Sequence, residues 1–231
     1  MRVYLIRHAQ SENNILTEET LHLRKVDPNL TAVGYEQRDY LADFLTTAVE
    51  INNTRFDFTH MYSSAMHRTL LTSEPVAKAL NLQPQVWVDL HEKGGMYLHE
   101  DGHDKGYTGM TRTEILNAFP NYDVPDTVTD NGWYDADMGV EPETHSFYRA
   151  IKVATALQQR SDSDDVLALV SHAGFLDVLL KAIFNQLPSR PHTMKYYHYN
   201  TAITRIDYHG HRPVLHYMNR VDHLPADKRT V

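Results

Sequence analysis

Two short apolar runs set the strongest constraint on this chain: Val3-Tyr4-Leu5-Ile6 and Val166-Leu167-Ala168-Leu169-Val170-Ser171. Both are β-rich, and no charge interrupts them. A strand that is apolar at every position must be covered on both faces, which is the signature of a parallel sheet. Parallel neighbours need crossover connections, so the expected class is α/β: a mostly parallel central sheet flanked by helices. Each run is followed at once by a histidine, His8 after Arg7 and His172 after Ser171. Ligands of open α/β sheets bind beyond the carboxyl ends of the strands. Two histidines far apart in sequence can therefore meet over one pocket.

The remaining pattern fits that class. Thr31 is a helix cap ahead of an apolar face formed by Leu41, Phe44, Leu45 and Ala48. Phe56 to Tyr62 reads as a strand. Ser63-Ser64 opens a second helix, with Leu70, Val76, Ala77 and Leu80 on its buried side, and Val86 to Leu90 reads as a short strand. A helix near Thr144 to Arg160 leads to the Val166 strand. Another from about Phe175 to Phe184 follows it. Late strands near Ala202 to Tyr208 and Val214 to Met218 close the sheet, and the polar tail from Ala226 to Val231 is expected to be mobile.

The 231 residues suit one sizeable core and are read as a single domain, residues 1–231. The stretch from Gly94 to Glu143 departs from the strand–helix alternation, offering only one short helix, Thr111 to Phe119. It is read as an inserted excursion, a lid or side wall over the site, ordered by Tyr97, Tyr107, Tyr122, Trp133 and Tyr134.

Charge and composition exclude several function classes. A net charge of -8 argues against a general nucleic-acid or anionic-membrane surface, although a small basic pocket remains compatible with it. The absence of cysteine removes disulfides, thiolate catalysis and Cys-ligated metals. No stretch approaches a signal core or a membrane span, so a cytoplasmic protein is expected.

Four segments at strand ends carry chemistry: Arg7 to Asn14, Ser63 to Arg68, Leu90-His91-Glu92, and Ser171 to Gly174. Together they supply two arginines, two histidines, a carboxylate and polar amides. Arginine's planar fork suits phosphate. Helix N-termini add amides aimed at an anion. An imidazole in such a setting can attack phosphorus, and a carboxylate can protonate the departing oxygen. Without a metal, arginine and histidine charge must stabilise the transferring phosphoryl group.

On these residues the chain resembles the histidine phosphatase superfamily, the phosphoglycerate-mutase-like proteins. The Arg-His-Gly motif stands as Arg7-His8-Ala9, followed by Ser11 and Asn14. The Leu-Thr-x-x-Gly element is Leu30 to Gly34, and Ser-Ser-x-x-x-Arg is Ser63 to Arg68. The acid position is Glu92, Ser-His-x-Gly is Ser171 to Gly174, and a late Asn is Asn200. Ala9 and Ala173 depart from the usual glycines, and Gln10 stands where several relatives carry Glu. The resemblance covers roughly residues 1–93 and 144–208. It implies that His8 is phosphorylated, that Glu92 is the proton donor, and that Arg7, Arg68 and His172 hold the phosphoryl group. Asn14 would add a polar contact.

The expected activity is a metal-independent phosphatase acting on a small phosphorylated substrate, with no cofactor. A phosphoglycerate mutase is the nearest alternative, and a silent phosphate-ligand binding protein a remote one. Mutases of this family carry a basic middle segment, whereas here that region offers only Lys93, Lys105 and Arg112 among many acids. One decoy is weighed. His99-Glu100-Asp101-Gly102-His103 matches a zinc-protease pattern, but that chemistry needs both histidines on one helix face, and Asp101-Gly102 is turn chemistry.

Overall fold

The computed structural model describes residues 1–50, 55–187 and 194–231. Its centre is a six-stranded sheet. β1 (Arg2–Arg7) pairs in parallel with β6 (Val166–Ser171), in a register that places Val3 opposite Leu167 and Arg7 opposite Ser171. β2 (His60–Ser63) and β3 (Gln85–Val86) extend the parallel part, and β7 (Ile203–His209) and β8 (Arg212–Arg220) add an antiparallel edge. The order is β3-β2-β6-β1-β7-β8.

Successive side chains of β1 and β6 point to opposite faces, and both faces are covered. Tyr4, Ile6, Ala168 and Val170 pack under α1 (Ala32–Thr47) and α2 (His67–Leu80) against Leu41, Leu45 and Val76. Val3, Leu5, Leu167 and Leu169 pack on the other face, beneath α4 (Glu143–Gln159) and α5 (Ala173–Ile183), against Val153, Leu157, Phe175 and Leu179. This double burial is why no charge interrupts the two runs. Each fully buried Leu or Ile contributes roughly 1.5–3 kcal/mol relative to exposure.

Thr31 caps α1 as expected, accepting from the Gly34 amide at 3.0 Å. α2 contains Pro75, which cannot donate to the Leu71 carbonyl one turn earlier. Arg38 on α1 fills that role, its Nη1 donating to Leu71 O at 2.9 Å.

Several elements differ from the sequence reading. Phe56 and Phe58 precede β2 instead of forming it. The Phe58 amide turns back to Phe56 O at 2.7 Å, and both rings pack on Tyr4 at 5.3 and 5.1 Å. Their apolar character serves the core and not a ladder. α2 begins at His67, because Ser64 is occupied at the strand end. Val86 to Leu90 is not one strand: pairing ends at Val86, and Val88–Leu90 is a 3-10 turn. The tail is fastened instead of mobile. The Thr230 hydroxyl donates to Asn200 Oδ1 at 2.9 Å, and Gln37 Nε2 donates to Thr230 Oγ1 and to Lys228 O, each at 2.7 Å.

The 94–143 excursion holds the expected helix, α3 (Arg112–Ala118), and an unexpected hairpin of β4 (Tyr97–Glu100) and β5 (His103–Gly106). Its aromatics are ordered, as the composition implied. Trp133, Tyr134, Tyr122 and Phe119 form a third apolar cluster with Met66, Leu70 and Met96. Among the described residues no helix is long and apolar enough to cross a membrane.

Candidate active site

The ladder between β1 and β6 continues one residue past β1, with the His8 amide donating to Ser171 O at 2.9 Å. On the other side, His8 O accepts from Asn200 Nδ2 at 3.1 Å and from the Thr201 amide at 3.3 Å. The backbone of His8 is thus held from both neighbouring strand ends. Its ring is fixed as well. Nδ1 lies 2.7 Å from Ala9 O, and Arg68 Nε donates to Nε2 at 3.3 Å. A carbonyl can only accept and a guanidinium can only donate, so the proton sits on Nδ1 and the lone pair on Nε2. Burial, then the charges of Arg68 and Arg7, hold the His8 pKa well below the usual histidine range. The imidazole is therefore neutral at neutral pH.

Arg68 stands at the start of α2, where Asp27 receives it. The Asp27 carboxylate accepts the His67 amide at 3.0 and 3.1 Å and lies 3.8 Å from Arg68 Nη1. Arg7 is anchored from the other side by Nη1 on His198 O at 2.6 Å, and burial lowers its pKa to about 10. His172 is the cap residue of α5, and its ring lies 5.1 Å from that of His8. Its Nε2 meets Ser64 Oγ at 3.0 Å. Burial first, and then the charge of Arg68, depress its pKa too. Within the protein, Arg7 Nε and His172 Nδ1 are buried without a hydrogen-bond partner among the described residues.

Glu92 reaches the cluster from a different support. Its carboxylate lies across the N-terminus of α5, accepting the Phe175 amide at 2.8 Å and the Gly174 amide at 3.2 Å, as well as its neighbour Lys93 N at 2.8 Å. A Cβ at position 174 would stand 2.6 Å from Glu92 Oε1, so glycine there leaves room for the carboxylate. The negative charge of Glu92 supports the protonated forms of both Arg7 and Arg68.

The loop after β1 explains further sequence elements. Asn14 turns inward, its Oδ1 accepting the Ser11 amide at 2.9 Å and the Ser11 hydroxyl at 3.0 Å, with Asn200 Nδ2 at 3.4 Å. Thr31 donates to Gln10 Oε1 at 2.6 Å. A Cβ on Gly34 would overlap Gln10 O, so this glycine lets α1 press directly on the loop. Leu30 to Gly34 therefore braces the site and does not line it. Ala9 donates its amide to Thr72 Oγ1 at 3.0 Å, and neither Ala9 nor Ala173 has a positive φ. At both positions a methyl is accommodated without backbone strain.

The structure thus gathers Arg7, His8, Arg68, His172 and Glu92 at the carboxyl ends of the parallel strands. A profile of the histidine phosphatase superfamily, branch 1, matches residues 3–221. The chain belongs to that superfamily. Solved structures of similar fold include a phosphoserine phosphatase mutant from Entamoeba histolytica in complex with phosphoserine, at 19% identity and TM-score 0.58, covering 97% of this chain and 99% of that one. A mycobacterial glucosyl-3-phosphoglycerate phosphatase with VO3 aligns at 18% identity and TM-score 0.59, covering 95% and 99%. An ecdysone phosphate phosphatase from Bombix mori with tungstate aligns at 15% identity and TM-score 0.63, covering 97% and 95%. No curated protein matched by sequence.

Within this superfamily framework, other residues escaped the sequence reading. Asp27 carried a signal only as the acid of Asp27-Pro28. Ser64 was visible as half of Ser63-Ser64, without its partner. The zinc-protease pattern lies on the hairpin. Asp101 and Gly102 form its tip with φ of 50° and 79°, His99 Nδ1 lies 3.0 Å from Asp104 Oδ1, and Glu100 bonds Lys105 and Tyr107. His99 and His103 share no helix face.

Proposed function

We propose that the protein is a phosphatase that hydrolyses a phosphomonoester of an alcohol through a phosphohistidine on His8. The observation that carries this reading is the state of the His8 ring: neutral, with Nε2 carrying the lone pair between Arg68 and His172. Nε2 attacks phosphorus, the P–O ester bond breaks, and the alkoxide takes a proton from Glu92, whose carboxylate receives that proton from the monoanionic ester as the substrate binds. Water then attacks phosphorus, the P–N bond breaks with its electron pair returning to Nε2, Glu92 takes the proton of the water, and phosphate is released. Arg7 Nε, Arg68 and His172 Nδ1 are the groups offered to the phosphoryl oxygens, whose charge they stabilise without a metal. Asn14 and Asn200 act behind the nucleophile, through the loop and the His8 carbonyl.

One observation favours water over a second substrate as acceptor. The basic side chains of the middle region are engaged elsewhere: Lys93 with Glu143, Lys105 with Glu100, and Arg112 Nη1 with the carbonyls of Val124 and Pro125 at 2.7 and 2.8 Å. Retaining a bisphosphorylated intermediate requires additional cations at the pocket. The named substrates of the fold relatives, phosphoserine among them, are phosphate esters of alcohols, which is the class proposed here.

The test follows phosphate release from p-nitrophenyl phosphate and an alkyl phosphate, with and without chelator, together with alkaline-quench trapping of label on the protein. Turnover insensitive to chelator and label that disappears in His8→Ala are expected. Turnover in His8→Ala well above background sinks the nucleophile. Rapid interconversion of 3- and 2-phosphoglycerate with little phosphate release replaces the phosphatase by a mutase.

A further inference from the structure

Glu92 follows no long strand. It comes after the 3-10 turn Val88–Leu90, beyond the two-residue edge strand β3. The Ser171 hydroxyl holds one point of this stretch, donating to Leu90 O at 2.6 Å, and Arg149 on α4, whose guanidinium is buried, holds the carbonyls on either side of it. Nη1 donates to Asp89 O at 2.6 Å and to His91 O at 3.0 Å. Nε and Nη2 donate to the two oxygens of Glu141 at 2.5 and 2.6 Å. Burial opposes ionisation of Glu141, but its bonds to Arg149 prevail and hold its pKa at about 2. Glu141 in turn ties its own amide to Gly94 O at 2.9 Å. The ion pair therefore fastens the chain on both sides of Glu92, at 91 and at 94.

A second contact connects Arg149 to the other support of the carboxylate. The guanidinium lies over the Phe175 ring, 4.5 Å from its centroid, and Phe175 is the residue whose amide donates to Glu92 Oε1. His91 completes the packing. Its Nδ1 bonds Val88 O at 2.7 Å, and Trp133 and Tyr134 of the excursion enclose its ring at 5.2 and 5.7 Å.

We infer that Arg149, neutralised by Glu141, is a positioning residue for Glu92, fixing both the backbone that carries the carboxylate and the helix end on which it rests. The inference depends on the reading of Glu92 as proton donor. It also ties the end of the excursion to the chemistry, since Glu141 is the residue through which the insertion couples to catalysis. Four donor bonds and a stacked face in one fork are a geometry that lysine does not reproduce.

The test is the double variant Arg149→Met/Glu141→Gln, which removes the pair together and leaves no buried charge uncompensated. kcat/KM is measured on an alkyl phosphate and on p-nitrophenyl phosphate, whose leaving group needs little protonation. Displacing an acid forfeits part of the roughly 10²–10⁴-fold that general acid catalysis contributes. The expected result is a loss of about tenfold or more on the alkyl ester, with p-nitrophenyl phosphate within about threefold of wild type. Equal losses on both esters, or none on either, overturn the positioning role. Glu92→Gln is measured in parallel. If its loss is selective and that of the double variant is not, the clamp is wrong and the acid stands. If its loss is not selective, the acid assignment falls and the clamp falls with it. Should the double variant fail to fold, Arg149→Lys carries the same comparison, because it keeps the charge and breaks the fork.

Discussion

The two halves of the site are built by different means. The half proposed to carry the nucleophile hangs from the middle of the sheet: Arg7 is the last residue of β1, and His8 and His172 are the residues that follow β1 and β6. The acid half stands at the sheet margin, after a two-residue strand, and is secured by side chains from α4 and the excursion. A strand at the centre of a ladder has its backbone fixed by neighbours on both sides, so a residue at its end inherits a rigid position. A residue beyond an edge strand needs a dedicated support. In the proposed reading, the groups offered to the phosphoryl are therefore placed by the fold, and the acid is placed by particular side chains.

The sharpest way to break this contrast is at its centre. His8→Ala should reduce turnover to background on every ester while the melting temperature changes little, as steady-state assays and thermal unfolding would show. Arg68→Lys should lower kcat by about 10²-fold, and equally for good and poor leaving groups, because it acts on the phosphoryl charge. A leaving-group-selective effect in that variant would erase the division between the halves. Gly174→Ala addresses the other half without touching a polar group. The new methyl meets the carboxylate of Glu92, a side-chain end and not backbone, so the carboxylate is displaced from its amides and the helix remains. About a tenfold loss on an alkyl phosphate, little loss on p-nitrophenyl phosphate and unchanged stability are expected.

Two smaller effects concern stability. Gly34→Ala drives a methyl against the Gln10 carbonyl, which is backbone and cannot step aside. A destabilisation of about 1–3 kcal/mol follows, read as a drop in melting temperature. Acid should weaken the fold before the carboxylates titrate. Burial lowers the pKa of both His198 and His223 to about 4. Below an unfolded value near 6.5 the unfolded chain binds protons that the native state refuses, so stability falls as pH falls through that range. Each of these two residues contributes about 2 kcal/mol of loss between pH 7 and 5, measurable by urea titration at the two pH values. A flat response over that window would show that these histidines take up protons in the native state as readily as in the unfolded chain.

The same division governs what the sequence disclosed. Arg7, His8 and His172 were legible because an apolar run ends where they begin, and strand ends are where α/β sheets place their sites. Arg68 was legible from its spacing to Ser63-Ser64. The supports of Glu92 were not. Arg149 and Glu141 sit more than a full helix away in sequence, and although Arg149 shares the buried face of α4 with Ala150, Val153 and Leu157, nothing in the pattern pairs it with Glu141 or aims it at the Glu92 segment. Thr230 looked like part of a free tail because its partners, Gln37 and Asn200, are assigned by tertiary contact alone. The hairpin β4–β5 escaped detection because its residues are largely exposed on both faces, so no alternation of apolar and polar residues records it. Phe56 and Phe58 misled in the opposite sense, because β-favouring residues also serve as plain core.

The contact between the His8 ring and the carbonyl of the next residue has a regiochemical meaning. Histidine can carry phosphate on either ring nitrogen, and the two products are distinct isomers with distinct spectra. With Nδ1 committed to Ala9 O, the proposed phosphohistidine is confined to a single isomer, the one bearing phosphorus on Nε2. The ring also has no second orientation to adopt between turnovers, because turning it over would break the bonds at both nitrogens at once. In the proposed mechanism a main-chain oxygen, which no side-chain substitution removes, thus decides between the two isomers.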